Sequence, residues 1–154
     1  LKQVILFIRH GDRTSIHHLP NSYTNKENTA RYIHPEALGY LSRLDSFQIK
    51  KLSSGAINEM VLNETDIFQT KNEFYVSESG ILTTSGYMQH IRQGMWLRNA
   101  YNDFLSKIAS TSSVYVRSTN YDRTIQSAAA LLSSMLPGLV KPNGAGKSII
   151  TIQV

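Results

Sequence analysis

The sequence predicts an α/β fold in which a mostly parallel sheet is flanked by helices. Three observations support this prediction. An unbroken apolar run from Val4 to Ile8 opens the chain and is typical of a strand buried on both faces. Two amphipathic helical stretches follow, separated by a short β-branched segment, and a second β-branched run closes the chain at 149–154. The order strand, helices, strand, helix, strand is the alternation that lays crossover helices over a parallel sheet.

The first third of the chain is predicted to contain one strand, one loop and one helix. The strand covers residues 2–9. Residues 10–34 are polar and rich in Asn, Ser, Thr and Pro, which predicts a long loop. A helix is predicted at about 36–46, because Pro35 suits the first helical position and apolar residues recur at helical spacing, namely Ala37, Leu38, Leu41 and Leu44.

Residues 46–80 show no clear periodicity, and a Ser-Ser-Gly break interrupts them at 53–55. We therefore expect a surface excursion here. Together with the preceding loop and helix, this stretch forms a predicted insertion at about 18–80.

The second half of the sequence is predicted to contain a long helix, a short strand and a second helix. Thr83 or Thr84 is placed to cap the first helix, which is predicted to run to about Ala109. Its predicted apolar face comprises Met88, Ile91, Met95, Tyr101, Phe104, Leu105 and Ile108. The segment from Ser113 to Arg117 predicts a short strand.

A second amphipathic helix is predicted after Thr119-Asn120-Tyr121-Asp122, which resembles a capping box with the acid at the third helical position. The apolar positions of this helix follow the i, i+3, i+4, i+7 rule, and they are Ile125, Ala128, Ala129, Leu132, Met135 and Leu136. Pro137-Gly138 is expected to end it, and the run at 149–154 predicts the last strand.

Composition narrows the classes of function. The 154 residues are 41% apolar, enough for the core of one domain. The formal charge of +5 and the pI of about 9.5 favour anionic ligands, but the basic residues are scattered, so we expect no nucleic-acid partner. The sequence contains no run of about twenty apolar residues, so no membrane span is predicted. Cysteine is absent, and the five His show no metal-ligand spacing, so no metal or cofactor is expected.

The segment Arg9-His10-Gly11-Asp12-Arg13 carries the clearest chemical signal. A phosphate monoester is nearly doubly negative at neutral pH, so a site that attacks it must neutralise charge and hold a nucleophile in line. Arginine binds two phosphate oxygens with its planar fork and stays protonated. An imidazole such as His10 can attack through one nitrogen if the other is held by a hydrogen bond, which we expect to go to a backbone carbonyl.

Arg117 ends the predicted short strand, and Arg9-His10 ends the predicted first strand. Ligands of parallel sheets bind beyond the carboxyl ends of the strands. The sequence therefore predicts one phosphate site at which His10 is the nucleophile, giving a phosphohistidine that is hydrolysed in a second step. Arg9, Arg13 and Arg117 would bind the phosphate.

The two motifs resemble those of the histidine acid phosphatases, a branch of the histidine phosphatase superfamily. The first is Arg9 to Arg13, and the second runs from Val116 to Thr124 and continues in Gln126-Ser127-Ala128. The segment Leu82-Thr83-x-x-Gly86-x-x-Gln89-His90 also resembles the stretch between them. The resemblance implies a phosphoglycerate mutase-like fold, His10 as nucleophile, a clamp of Arg9, Arg13 and Arg117, and release of phosphate at acid pH without a metal.

The family also places a His-Asp pair far downstream, and its Asp protonates the leaving alcohol. No His is followed by Asp here, so we expect residues 1–154 to be the N-terminal portion of the phosphatase domain. The substrate would be a small-molecule or sugar phosphate monoester. The long stretch after His18 and the His34-Pro35 pair are more like the 2-phosphoxylose phosphatase branch, which acts in the Golgi. A non-catalytic phosphate-binding fragment and a phosphoryl-transferring mutase are further alternatives.

The remaining signals are weaker. Asn63-Glu64-Thr65 is an N-glycosylation sequon. Together with the family resemblance, it favours a protein of the secretory pathway that is secreted or lysosomal. A homodimer is left open. His90 lies on the long helix and is expected to pack there or face solvent. Gly144 to Ser148 looks like the end of a P-loop, but Lys141 replaces the required glycine and a strand follows, so nucleotide binding is rejected.

Overall fold

The chain is described from a computed structural model, which covers residues 1–14, 16, 47–53, 56–61, 80, 82–140 and 150–154. Several predictions of the sequence lie outside these residues. They concern the helix at about 36–46, the sequon at Asn63, His34 and the segment from Gly144 to Ser148.

Within the described residues, four strands form one sheet: β1 (Phe47–Ser53), β2 (Ala56–Val61), β3 (Val116–Arg117) and β4 (Ile150–Gln153). Their spatial order is β2-β1-β4-β3. The β1–β4 and β3–β4 pairs are parallel, and β1–β2 is antiparallel. The predicted α/β fold with a mostly parallel sheet is therefore confirmed, as is the closing strand.

The β1–β2 hairpin lies within the predicted surface excursion at 46–80, where the sequence predicted no strands. Its register pairs Ser53 with Ala56 and Gln48 with Val61, so two residues connect the strands. A two-residue connection containing glycine is a common hairpin signal, and the sequence interpretation took the same Ser-Ser-Gly break only as an interruption.

The helices in the described part of the chain are α1 (Thr84–Ala100), α2 (Asn102–Leu105) and α3 (Asp122–Met135), and a 3₁₀ turn lies at Thr111–Ser113. Thr83 caps α1 as predicted, since its hydroxyl accepts from the backbone N–H of Gly86 at 3.0 Å. The prediction of one helix to Ala109 was wrong, because α1 ends at Ala100. Of its predicted apolar face, Met95 is 50% exposed.

The capping box predicted for α3 does not form. The helix starts at Asp122, so the acid occupies the first helical position and not the third, and Tyr121 makes no side-chain capping bond. The hydroxyl of Thr124 instead lies 2.8 Å from the carbonyl oxygen of Thr119 and 2.7 Å from that of Tyr121. This local contact closes the turn that joins β3 to α3.

The core lies between α1, α3 and β4. Every residue of α3 from Ile125 to Met135 is buried, which confirms the predicted apolar stripe and extends it around the helix. Gly94 allows the close approach of α1, since a Cβ there would collide with the Ser134 hydroxyl and the Leu131 carbonyl of α3. Ile150 and Ile152 of β4 complete the core.

The first strand predicted at 2–9 is wrong. Residues 1–10 are irregular and pair with no strand that the structure describes. Phe7 is 95% exposed and Leu1 78% exposed. An apolar run becomes a strand only when a neighbour offers a hydrogen-bonding edge, and apolar composition alone does not specify that neighbour.

No helix in the described part of the chain is both long enough and apolar enough to cross a bilayer.

Candidate phosphate site

The segment from His10 to Arg13 is held against the start of α1. The backbone N–H of Thr83 donates to the carbonyl of Asp12 at 2.9 Å, and the Thr83 hydroxyl lies 2.7 Å from the Asp12 carboxylate. The N–H of Asp12 donates to Oε1 of Gln89 at 2.9 Å, and Arg13 forms an antiparallel bridge with Leu82. The helix terminus, not a strand end, therefore positions this segment.

Two glycines make that contact possible. A Cβ on Gly11 would lie 2.7 Å from Cα of Gly86, and a Cβ on Gly86 would lie 2.6 Å from the backbone nitrogen of Asp12. Both separations are well inside van der Waals contact, so any side chain at either position would push the two backbones apart. The structure thus gives Gly11 close packing on the helix.

Helix α3 supports the same segment from a second side. The buried N–H of Gly11 donates to the hydroxyl of Ser127 at 3.1 Å, and that hydroxyl donates to the carbonyl of Arg123 at 2.6 Å. Ser127 thus satisfies a buried backbone donor that water does not reach. The Arg123 guanidinium stacks over the ring of Tyr121 at 4.3 Å.

The ring of His10 is oriented by its own neighbour. Its Nδ1 lies 2.8 Å from the carbonyl oxygen of Gly11. A carbonyl oxygen only accepts, so Nδ1 carries the proton of the neutral ring and Nε2 keeps a free lone pair. The predicted hydrogen bond to a backbone carbonyl is confirmed.

A cavity of about 280 Å³ adjoins this imidazole. Its walls combine an apolar side, a cationic and imidazole side and a row of polar helix residues. They are formed by Phe7, Ile8, Arg9, His10, Gly11, Gln89, His90 and Gln93. The volume suits a small ligand, and the lining suits an anionic one.

The other two predicted arginines do not line this cavity. The Nη1 of Arg13 donates to the carbonyl of Thr14 at 3.0 Å. Arg117 ends β3 as predicted, and it is exposed. The structure thus brings Arg9 and His10 together and leaves Arg13 and Arg117 outside the cavity wall.

The profile of the histidine phosphatase superfamily (branch 2) matches residues 1–152. The chain belongs to branch 2 of this superfamily. The resemblance that the two motifs indicate is therefore confirmed.

Similar proteins include 2-phosphoxylose phosphatases and acid phosphatases. The 2-phosphoxylose phosphatase 1 proteins of Mus musculus and Homo sapiens are 33% and 32% identical over 89% of the chain. The lysosomal acid phosphatase of Homo sapiens is 45% identical over 42% of the chain. The chain spans about 28% of the length of the former two and 14% of the latter. No solved structure matches the chain.

His90 lines the same cavity, which the sequence did not predict. It is 2% exposed, and neither of its ring nitrogens has a hydrogen-bond partner among the described residues. Burial lowers the pKa of His90, and the nearby His10 lowers it further. The Gln93 side chain and the Arg9 backbone lie near the ring without well-formed hydrogen bonds, and they offset this lowering of the pKa only in part. The ring is therefore favoured in its neutral form.

This lowered pKa predicts an acid-dependent loss of stability. The unfolded chain binds a proton on His90 near pH 6.5 and the folded chain only at lower pH, so the free energy of unfolding should fall as the pH drops below about 6.5. Denaturant titrations over this range should show a shallower fall for His90→Leu than for the wild type. Parallel pH profiles would contradict the assignment.

The remaining site residues missed by the sequence analysis are Gln89, Gln93 and Ser127. Gln89 and Ser127 lie inside the segments that carry the resemblance, so their motifs were visible, but nothing in the spacing said which would touch the His10 segment. Among the residues that the structure covers, no cluster of three His, Asp or Glu is arranged to hold a metal ion.

Proposed function

We propose that this chain carries the nucleophilic part of an acid phosphatase that hydrolyses phosphate monoesters through a phosphohistidine on His10. The lone pair of Nε2 attacks phosphorus, and the ester oxygen leaves with the bonding electrons and becomes the alcohol by taking a proton, which the family resemblance assigns to a downstream Asp. Water then attacks the phosphohistidine and releases inorganic phosphate.

The observation that supports this most directly is the hydrogen bond from Nδ1 of His10 to the Gly11 carbonyl. It fixes the tautomer that a nucleophilic imidazole needs, and it does so at the wall of a cavity of small-ligand size. Membership of a phosphatase superfamily supports the same chemistry.

The arginines are proposed to handle the charge. Arg9 lines the cavity, and its guanidinium would bind the equatorial oxygens of the phosphoryl group in a loose, in-line transition state. Arg13 and Arg117 would join it when substrate binds, completing the clamp that the family resemblance implies.

The test is to trap the intermediate. The full-length protein is mixed with ³²P-labelled phosphate monoester, quenched within milliseconds and digested. We expect an acid-labile label on the peptide that contains His10. A label that passes to a second sugar or acid, and not to water, would favour a mutase. Binding of vanadate without any label or turnover would favour a non-catalytic phosphate-binding module.

Arg117→Ala should weaken phosphate binding and slow turnover together, lowering kcat/KM by about 100-fold or more because a charge-assisted contact to the phosphoryl group is lost. Steady-state kinetics with p-nitrophenyl phosphate measures this. Arg98→Ala, an exposed cation in the last turn of α1, is the matched control. Unchanged kinetics for Arg117→Ala would remove that residue from the site.

A sugar phosphate is the second candidate for the substrate. The 2-phosphoxylose phosphatases match 89% of the chain, whereas the lysosomal acid phosphatase matches 42%. We therefore propose a protein of the secretory pathway, in the Golgi if its substrate is a 2-phosphoxylose and otherwise secreted or lysosomal. Comparing kcat/KM for a xylose 2-phosphate glycoside and for p-nitrophenyl phosphate distinguishes a sugar-specific enzyme from a general one.

A further inference from the structure

We propose that His90 is a further phosphate-contacting residue, whose ring N–H donates a hydrogen bond to an oxygen of the bound ester. This inference rests on the proposed function, because it concerns the same cavity. It adds to the site a residue of α1 that is neither the proposed nucleophile nor one of the arginines proposed to bind phosphate.

The first argument is burial without a partner. His90 is 2% exposed, and neither ring nitrogen makes a well-formed hydrogen bond among the described residues, although the Gln93 side chain and the Arg9 backbone lie near the ring. Buried polar side chains are nearly always paired, because removing such a group from water without compensation is destabilising. A leucine at this position would pack without that cost, so the ring calls for a function that an apolar side chain could not supply.

The second argument is position. His90 lines the same cavity as His10 and Arg9. Its neighbour Gln89 holds the N–H of Asp12, and Gly86 one turn earlier packs on Gly11. The contacts that fix the nucleophile therefore also fix the distance between the two imidazoles. A group held this rigidly relative to the reacting atom suits the orientation of a substrate.

The third argument is chemical complementarity. The oxygens of a phosphate monoester only accept hydrogen bonds when they are ionised, and the cavity already has a cation in Arg9. A neutral imidazole adds a directional donor without adding a second positive charge beside His10. The side chain of Gln93, in the cavity wall on the next turn of α1, lies near the His90 ring without a well-formed hydrogen bond to it.

The experiment compares phosphate affinity with stability in the full-length protein. In His90→Leu, we expect the Kd for inorganic phosphate, measured by calorimetry at pH 7.5, to rise by about 10- to 100-fold. The midpoint of thermal unfolding without ligand should stay the same or rise. His90→Asn and His90→Gln place an amide N–H near Nδ1 and Nε2 respectively, and at least one should bind phosphate more tightly than His90→Leu.

Ile91→Leu is the matched control, since Ile91 is equally buried on α1 but does not line the cavity. It should leave phosphate affinity unchanged. If His90→Leu binds phosphate like the wild type, or if it loses stability and both amide variants bind no better, His90 is a packing residue and the inference is overturned. If the wild type binds no phosphate at all, the proposed function fails together with it.

Discussion

Replacing His10 with Ala should lower kcat for p-nitrophenyl phosphate by at least about 10³-fold, because no other described side chain in the cavity is held in a tautomer ready to attack phosphorus. The arginines that are proposed to bind the anion stay in place, so the Kd for inorganic phosphate should change only by a few-fold. The labelled intermediate should disappear from the digest. The variant thus separates bond formation from binding.

The control for this variant is Arg98→Ala, which removes a polar side chain outside the cavity wall. Residual turnover above about one tenth of the wild-type value would show that water, or another nucleophile, attacks the ester directly. Loss of phosphate affinity together with turnover would instead mean that the imidazole contributes to binding, and the division of roles between His10 and the arginines would be wrong.

Gly86→Ala should unfold the protein at markedly lower denaturant concentration, with a loss of at least about 2 kcal/mol of the free energy of unfolding. Replacing an exposed helical glycine with alanine normally raises the free energy of unfolding by about 0.5–1 kcal/mol. Here the new Cβ would lie 2.6 Å from the backbone nitrogen of Asp12, so the helix and the signature segment must separate. Phosphate affinity of the folded fraction should fall as well.

Gly138→Ala is the matched control, because Gly138 is exposed and a Cβ there would meet nothing within 4 Å. We expect its unfolding curve to overlay that of the wild type or to shift slightly towards higher stability. Equal stability and equal phosphate affinity for Gly86→Ala would contradict the back-to-back packing of the two glycines.

Sequence reasoning succeeded where the signal is local. The 3.6-residue stripe from Ile125 to Met135 specifies a helix whatever it packs against, and α3 forms there. Thr83 caps α1 because its hydroxyl needs only the N–H of Gly86 three residues on. The tautomer of His10 is set by the adjacent carbonyl of Gly11. Each of these features depends on residues within a few positions of one another.

Sequence reasoning failed where the local structure depends on contacts with residues distant in sequence. The apolar run before Arg9 has the composition of a buried strand, yet it pairs with no strand that the structure describes. The hairpin from Phe47 to Val61 lacks a clean alternation, so only its register reveals it. His90 carries no local sign of its role, since its significance lies in the cavity that it shares with His10.

The contact between Gly11 and Gly86 has a practical consequence for anyone who would transplant this signature into another scaffold. The carbonyl that accepts the hydrogen bond of the His10 ring belongs to Gly11, the residue that packs on the helix. A graft of the loop alone would keep His10 and Gly11 but lose the helix surface against which the Gly11 backbone is held. The smallest portable unit is the loop together with a helix start that carries glycine at its third position.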